Sequence, residues 1–217
     1  MEKQIERARE LLPSIIITVL SMIQALALEL YWNRLQNSEL LWHGGWPATL
    51  GWLQMMVMLL GILQIWVMYV SLMLRFRWMP SMEDTLVPFG IGLLEFGMID
   101  LMGPEHLGPW FVALAAVFAL SVGAIHKAHR RARQDPENEY FFGNVAPASW
   151  RDYIASLVAV STIAAFGVLL WWSEDRSALA LAALLFALAA LLYQFKLSRY
   201  YWMHTLVDGI ASNEDPQ

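Results

Sequence analysis

The chain has 217 residues, of which 58% are hydrophobic and 15% are charged, and it contains no cysteine. Soluble proteins average about 45–50% apolar and about 25% charged residues, so this composition excludes an ordinary soluble domain and indicates a membrane protein. The lack of cysteine excludes disulfides, thiolate metal sites and thioether-linked haem, and the formal net charge of -5 is informative only through where the charges lie.

Long apolar runs are the main structural signal along the chain. Each reaches roughly the 20 residues that a helix needs to cross the hydrocarbon core of a bilayer. Alternating strands of the kind that build membrane barrels do not occur, which leaves helices to satisfy the backbone within the bilayer. The sequence therefore predicts an all-α polytopic membrane protein with six transmembrane helices in three antiparallel hairpins, at about residues 13–32, 50–74, 85–103, 109–127, 151–172 and 177–197.

The start of the chain allows two interpretations. A charged segment at residues 1–12 precedes an apolar stretch with the small-residue triplet Ala25 to Ala27, a pattern that also occurs in secretory signal peptides. However, the segment carries as many acidic as basic residues, and the apolar run continues past the triplet. We therefore predict an uncleaved first helix.

The distribution of charge predicts the orientation and the division of the chain. Threading six helices through a bilayer places 12 of the 14 Lys and Arg residues on one side, and cytoplasmic loops are the ones that collect such residues. We therefore expect a multi-pass protein of the cell inner membrane with both termini cytoplasmic. The predicted parts are a cytoplasmic N-terminal segment (1–12), a four-helix polar-lined membrane core (13–127), a basic and acidic cytoplasmic loop (128–150), an Ala-rich helical hairpin (151–197) and a cytoplasmic tail (198–217).

Polar side chains inside the predicted spans are the candidate functional residues. At 1.5 Å of rise per residue, Glu95 and Gln64 fall near the bilayer midplane with Gln24 just beyond, while Glu29 and Asp100 lie about 10 Å toward the outer side and Gln54 slightly further. A carboxylate at such depth usually faces a bundle interior, a water-filled cavity or a partner. Glu95 could equally make only a packing hydrogen bond, for which Gln64 is at the right depth. Helical spacing puts Glu95 and Asp100 on different faces of their helix, which argues against a continuous wire between them.

A basic cluster follows the fourth predicted helix, at Lys127, Arg130, Arg131 and Arg133. Basic residues next to a membrane attract anionic lipids by about 1 kcal/mol each. The cluster therefore predicts contact with anionic lipids, although fixing the topology would account for most of its presence.

Signals for catalysis, metals and cofactors are weak. No histidine has a partner at the same depth within a span, so a haem held across the core is not expected. His43 and His106 share the outer loops with Glu105 and could bind a metal, but histidines at an interface are usually solvated. Common hydrolase, metalloprotease, nucleotide and dinucleotide motifs do not occur. We expect no enzyme activity, no cofactor, no metal and no nucleic-acid partner.

Two segments resemble a loose class of small bacterial multi-pass membrane proteins of unknown function. These are VLSMIQAL in the first predicted helix and LQIWVMYVSL running into FRWMPSMEDTLVPF after the second, and the resemblance covers residues 13–104. In that class a helix containing Gln is followed by one bearing Gln and Trp and by a short loop. The resemblance implies a bacterial membrane protein and no particular activity.

Three functions remain open at this stage. The first is a channel-like or transporter-like protein for protons or small cations, in which Glu95, Gln64 and Gln24 line a polar path and Glu29 and Asp100 form an acidic outer mouth. The second is a non-catalytic membrane subunit or effector that packs with partner proteins in a larger complex, and the third is an enzyme acting on lipid. We expect membrane lipids around the protein and a homo-oligomer or partner membrane subunits beside it.

Overall fold

The computed structural model describes the backbone of residues 2–76, 81–139, 148–173 and 177–211, and the side chains of these residues except 2–6, 8–10, 75, 201 and 204–211. Within this part of the chain the structure is helical and contains no strand. The α-helices are α1 (Glu2–Gln36), the short α2 (Glu39–Trp42), α3 (Gly45–Arg75), α4 (Met82–Asp100), α5 (Leu107–Ala132), α6 (Ile154–Trp172) and α7 (Ser177–Ala211). Short 3-10 turns occupy Pro104–His106, Pro136–Asn138 and Trp150–Tyr153.

Five helical segments of the described chain are long and apolar enough to cross a membrane, which confirms the predicted class of protein. They are Leu11–Gln36, Gly45–Leu74, Pro104–Ala132, Trp150–Trp172 and Ser177–Tyr200. Helix α4 differs from them because its 19 residues include four acidic side chains. At 1.5 Å per residue it is about 28 Å long, close to the thickness of a hydrocarbon core. The sixth crossing and the three hairpins stay predictions.

Several helices extend beyond the predicted spans. Helix α1 begins at Glu2, so the charged residues 2–12 continue the helix across Pro13. Helix α5 continues to Ala132 and α7 to Ala211. Of the predicted cytoplasmic loop 128–150, residues 140–147 lie outside the described part of the chain, as do 212–217 of the predicted tail.

The six long helices pack side by side in a ring. Contacts between neighbours run in the order α1, α4, α5, α6, α7, α3 and back to α1. The two most extensive interfaces, α5 with α6 and α3 with α7, join helices from different predicted hairpins. The α3–α7 and α1–α4 interfaces join helices that are not consecutive in the chain, so the ring order does not follow from the loops alone.

Glycines bring α5 and α6 together. A Cβ atom on Gly167 would lie 2.9 Å from the backbone nitrogen of Val112, and one on Gly108 would lie 2.8 Å from that of Trp171. Both distances are shorter than real contacts, so only hydrogen fits between the two backbones. Small residues commonly allow such close approach between membrane helices, where packing replaces the hydrophobic driving force.

We call the end of the ring that carries Lys127, Arg131 and Arg133 the basic end. Ion pairs join neighbouring helices there. Helix α4 begins there with a capping box, in which the hydroxyl of Ser81 accepts from the amide of Asp84 and the Asp84 carboxylate accepts from the amide of Ser81. Arg131 of α5 donates two hydrogen bonds to the same carboxylate, at 2.5 and 3.2 Å. The start of α4 is therefore held to the end of α5, and six residues further Pro88 is buried inside the helix.

Candidate functional site: a cavity that ends at a buried carboxylate

A cavity of about 330 Å³ lies inside the ring of helices. Its wall comes from α3, α4, α5, α6 and α7 and is mostly apolar, with side chains such as Met58, Ile62, Val117 and Leu191. It reaches the protein surface at the basic end, where the exposed side chain of Asp152 belongs to its lining. Along α3 the lining runs from Leu72 to Val57, which corresponds to about 22 Å at the rise of an α-helix.

Glu95 lies at the inner end of this cavity. Its side chain is 2% exposed, and its Oε2 accepts a hydrogen bond of 2.9 Å from Nε2 of Gln24 on α1. Gln24 sits in the middle of the apolar segment Leu11–Gln36, so the pair is near the centre of a bilayer crossed by α1. Glu95 Oε1 and Gln24 Oε1 are buried and have no hydrogen-bond partner among the described residues. Acidic side chains at such depth usually face a bundle interior, a water-filled cavity or a partner.

Gln64 and Ser121 are further polar side chains of the cavity lining. Gln64 of α3 donates from Nε2 to Ser198 Oγ of α7 at 3.0 Å, and this bond contributes to the α3–α7 interface. Its Oε1 is buried and unpartnered within the described chain, and the same holds for the Oγ of Ser121 on α5. The predicted contact between Glu95 and Gln64 is thus replaced by a contact between Glu95 and Gln24, while both residues face the same cavity.

Charged and aromatic side chains form the mouth of the cavity at the basic end. Arg133 of α5 donates to Asp152 at 3.1 Å, and His129 Nδ1 lies 2.7 Å from the hydroxyl of Tyr153. All four of these side chains line the cavity. The Asp152 carboxylate is exposed at this mouth. The contacts tie the end of α5 to the beginning of α6.

The opposite end of the ring is closed by side chains that bond to the loop between α4 and α5. Arg34 of α1 donates to the carbonyl of Met102 at 2.5 Å, and Gln54 of α3 accepts from the amide of Gly103 at 3.0 Å. On α5 the cavity lining stops at Leu114, and Trp110 and Phe111, one turn further, are fully buried. The cavity is therefore accessible from the basic end and blocked beyond Glu95.

Comparison with known proteins supplies no assignment for this cavity. The chain matches no protein family, no curated protein and no solved structure.

The predicted outer mouth residues lie elsewhere. Glu29 and Asp100 are both exposed on the outside of the ring and do not line the cavity. Of the six residues predicted along an ion pathway, Glu95 and Gln64 line the cavity and Gln24 bonds to Glu95 from behind the lining. Gln54 lies in the closed end, and Glu29 and Asp100 lie at the surface. Ser121 was missed because a serine in an apolar run gives no signal of its own.

The predicted lipid-binding cluster is largely engaged in ion pairs. Lys127 pairs with Glu83, Arg131 with Asp84 and Arg133 with Asp152. Arg130 is exposed and has no ion pair within the described chain. Three of the four cations therefore fasten helices together, which leaves Arg130 the most available to a lipid phosphate.

No group of three His, Asp or Glu side chains suited to a metal ion occurs among the described residues. A second cavity of about 290 Å³ lies at the closed end and includes Glu105 and His106, two of the residues considered above for a metal. His43 is outside its lining, and its Nδ1 contacts the carbonyl of Glu39 at 2.6 Å. The structure thus does not bring together the three outer-loop residues considered for a metal.

Proposed function

We propose that this protein is a membrane transporter for protons or small cations and that Glu95 is the residue to which they bind. The observation that carries the proposal is the cavity that leads from the basic end to a buried carboxylate. Burying a carboxylate in a membrane interior costs about 3 kcal/mol on insertion scales. Such a side chain is therefore expected either to line an ion pathway or to have all its hydrogen bonds satisfied by the protein. Glu95 lines the cavity, and its Oε1 has no hydrogen-bond partner within the described chain, which supports the first of these roles.

The closed end favours a transporter over an open channel. A channel needs a continuous path, whereas a transporter alternates between states open to either side of a central site. In this chain the bonds of Arg34 and Gln54 to the α4–α5 loop block the path beyond Glu95. We therefore interpret the structure as the state open to the basic end, and we propose that this end is cytoplasmic.

The topology belongs to the same proposal. With α4 as a sixth crossing, the chain forms three antiparallel hairpins and both termini lie on the cytoplasmic side, in keeping with the basic residues there. The acidic residues of α4 support this arrangement, because Glu83 and Asp84 lie at its basic end, where Lys127 and Arg131 neutralise them. Glu95 then remains as the only acid of α4 that is buried away from its ends.

Flux through reconstituted vesicles tests the proposal. The purified full chain is incorporated into liposomes, and proton and potassium fluxes are recorded for wild type and Glu95→Gln. Glutamine keeps the size of the side chain and its contact with Gln24 but removes the negative charge. A charge-assisted hydrogen bond contributes about 1.5–3 kcal/mol, so its loss should weaken cation binding roughly 10-fold to 150-fold and reduce flux at low cation concentration accordingly.

Glu29→Gln and Asp100→Asn are matched controls, since each removes one acid from the outside of the ring. Both should retain wild-type flux. If the well-folded wild type carries no flux, the proposal fails and the non-catalytic membrane subunit becomes the better interpretation. Equal losses in all three variants would indicate a general effect of charge and would also contradict a specific role for Glu95.

A further inference from the structure

We infer that the cation bound at Glu95 is a small primary ammonium group attached to an apolar body. This inference rests on the proposed function, because it specifies the substrate class of the same site. Three features of the cavity support it: the hydrogen-bonding character of its inner end, the apolar wall, and the scarcity of aromatic rings in the lining.

Away from the mouth, the buried polar atoms of the cavity lining that lack a hydrogen-bond partner within the described chain are oxygens. They are the Oε1 atoms of Glu95 and Gln64 and the hydroxyl oxygen of Ser121, and all three can accept a hydrogen bond. A buried acceptor without a donor is unfavourable. A single proton on Glu95 would satisfy one or two of these atoms, whereas an ammonium group brings three donors and a positive charge.

The wall of the cavity selects the rest of the ligand. Between the polar mouth and Glu95, the lining consists mainly of aliphatic side chains and methionines, including Ile65, Met68, Val122 and Ile125. A hydrated metal ion would find little there to replace its water. An apolar body instead gains from leaving water along this wall. The volume of about 330 Å³ is at the small end of the range of roughly 300–1,000 Å³ found for small-molecule sites.

The lining also distinguishes a primary from a quaternary ammonium. Quaternary groups cannot donate hydrogen bonds and are usually held by cages of aromatic rings. Here Phe118 is the one aromatic carbocycle in the cavity away from the mouth, where Tyr153 lies. The site therefore matches a donor group better than a permanently methylated one.

Binding to the purified full chain in detergent tests this inference. The probe is 2-phenylethylamine, and isothermal titration measures its dissociation constant. Two related compounds serve as comparisons: 2-phenylethanol has the same apolar body without the charge, and phenyltrimethylammonium has the charge without the donors. We expect the amine to bind at least about tenfold more tightly than either compound. Equal binding of the alcohol, or tighter binding of the quaternary compound, would overturn the inference.

Two variants locate the site. Glu95→Gln should weaken binding of the amine at least about tenfold, with Asp100→Asn as the matched control that binds like wild type. Gly61→Leu offers an independent check that removes no polar group. Gly61 lines the cavity, and a Cβ built on it meets no atom within 4 Å, so a leucine there should fill the space and abolish binding. Unchanged binding in Gly61→Leu would place the amine elsewhere and refute the inference.

The outcome separates this inference from the proposed function. Proton or potassium flux that depends on Glu95, together with no binding of 2-phenylethylamine, would refute the ammonium substrate and leave the transporter intact. Binding of the amine at Glu95 without flux of any cation would support the ligand and refute transport. If potassium or sodium ions bind in the same titration and the amine does not, the site is one for metal cations and the inference is overturned.

Discussion

The close contact between α5 and α6 gives a sharp prediction for Gly167→Ala. The new Cβ would lie 2.9 Å from both the nitrogen and the Cγ2 of Val112, so the helices must separate by roughly half an ångström or more to reach ordinary contact. Forcing extra atoms into a packed interface typically costs about 1–3 kcal/mol. Replacing glycine by alanine within a helix also gains about 1 kcal/mol of helix propensity, which partly conceals this cost.

Gly123→Ala removes that ambiguity. Gly123 is also inside a helix, α5, and a Cβ on it meets no atom within 4 Å. Since both substitutions gain a similar propensity, the difference between their free energies of unfolding isolates the steric cost. We expect Gly167→Ala to be about 1–3 kcal/mol less stable than Gly123→Ala, measured by unfolding in mixed micelles with increasing denaturing detergent. Equal stabilities would show that α5 and α6 do not approach as closely as described.

Three further substitutions test the two ends of the ring. Arg131→Ala leaves the carboxylate of Asp84, whose side chain is 7% exposed, without its cation. We expect the free energy of unfolding to fall by about 2–3 kcal/mol in the same assay. This is less than the roughly 3–5 kcal/mol lost when a fully buried pair is broken, because Arg131 is partly solvated. Lys127→Ala should leave the unfolding midpoint unchanged, since its ion pair is exposed. Gln54→Leu removes the acceptor for the amide of Gly103, weakening the closed end by about 1–3 kcal/mol, and should raise the cation leak of reconstituted vesicles. A leak equal to wild type would exclude this hydrogen bond as part of the closure.

The sequence was sufficient for the class of protein, whereas the depth of the central acid in the bilayer stays a prediction. Apolar run length is set by membrane thickness, so the long apolar helices could be located from hydropathy alone. The depth of Glu95 follows from the same count, although α4 begins three residues earlier than the predicted span. The four acidic residues of α4 keep it out of the five segments that are long and apolar enough to cross a membrane, so its crossing of the membrane stays a prediction.

The partners of Glu95 could not be predicted in the same way. Hydropathy gives the position of a residue along a helix axis but not the order of helices around a bundle. Short loops relate only consecutive helices, whereas Glu95 bonds to Gln24 through the α1–α4 interface and Gln64 bonds to Ser198 through the α3–α7 interface. For the same reason depth alone suggested an acidic mouth at Glu29 and Asp100, which the ring order leaves at the surface.

The buried Pro88 makes α4 easier to bend at that residue than elsewhere along the helix. Pro88 has no amide hydrogen to donate to the carbonyl of Asp84, one turn before it, so the helix lacks an internal bond at that level. Arg131 clamps the segment on one side of this break, while Glu95 lies two turns away on the other. A tilt about Pro88 would therefore swing the carboxylate toward or away from its glutamine partner while the start of the helix stays in place.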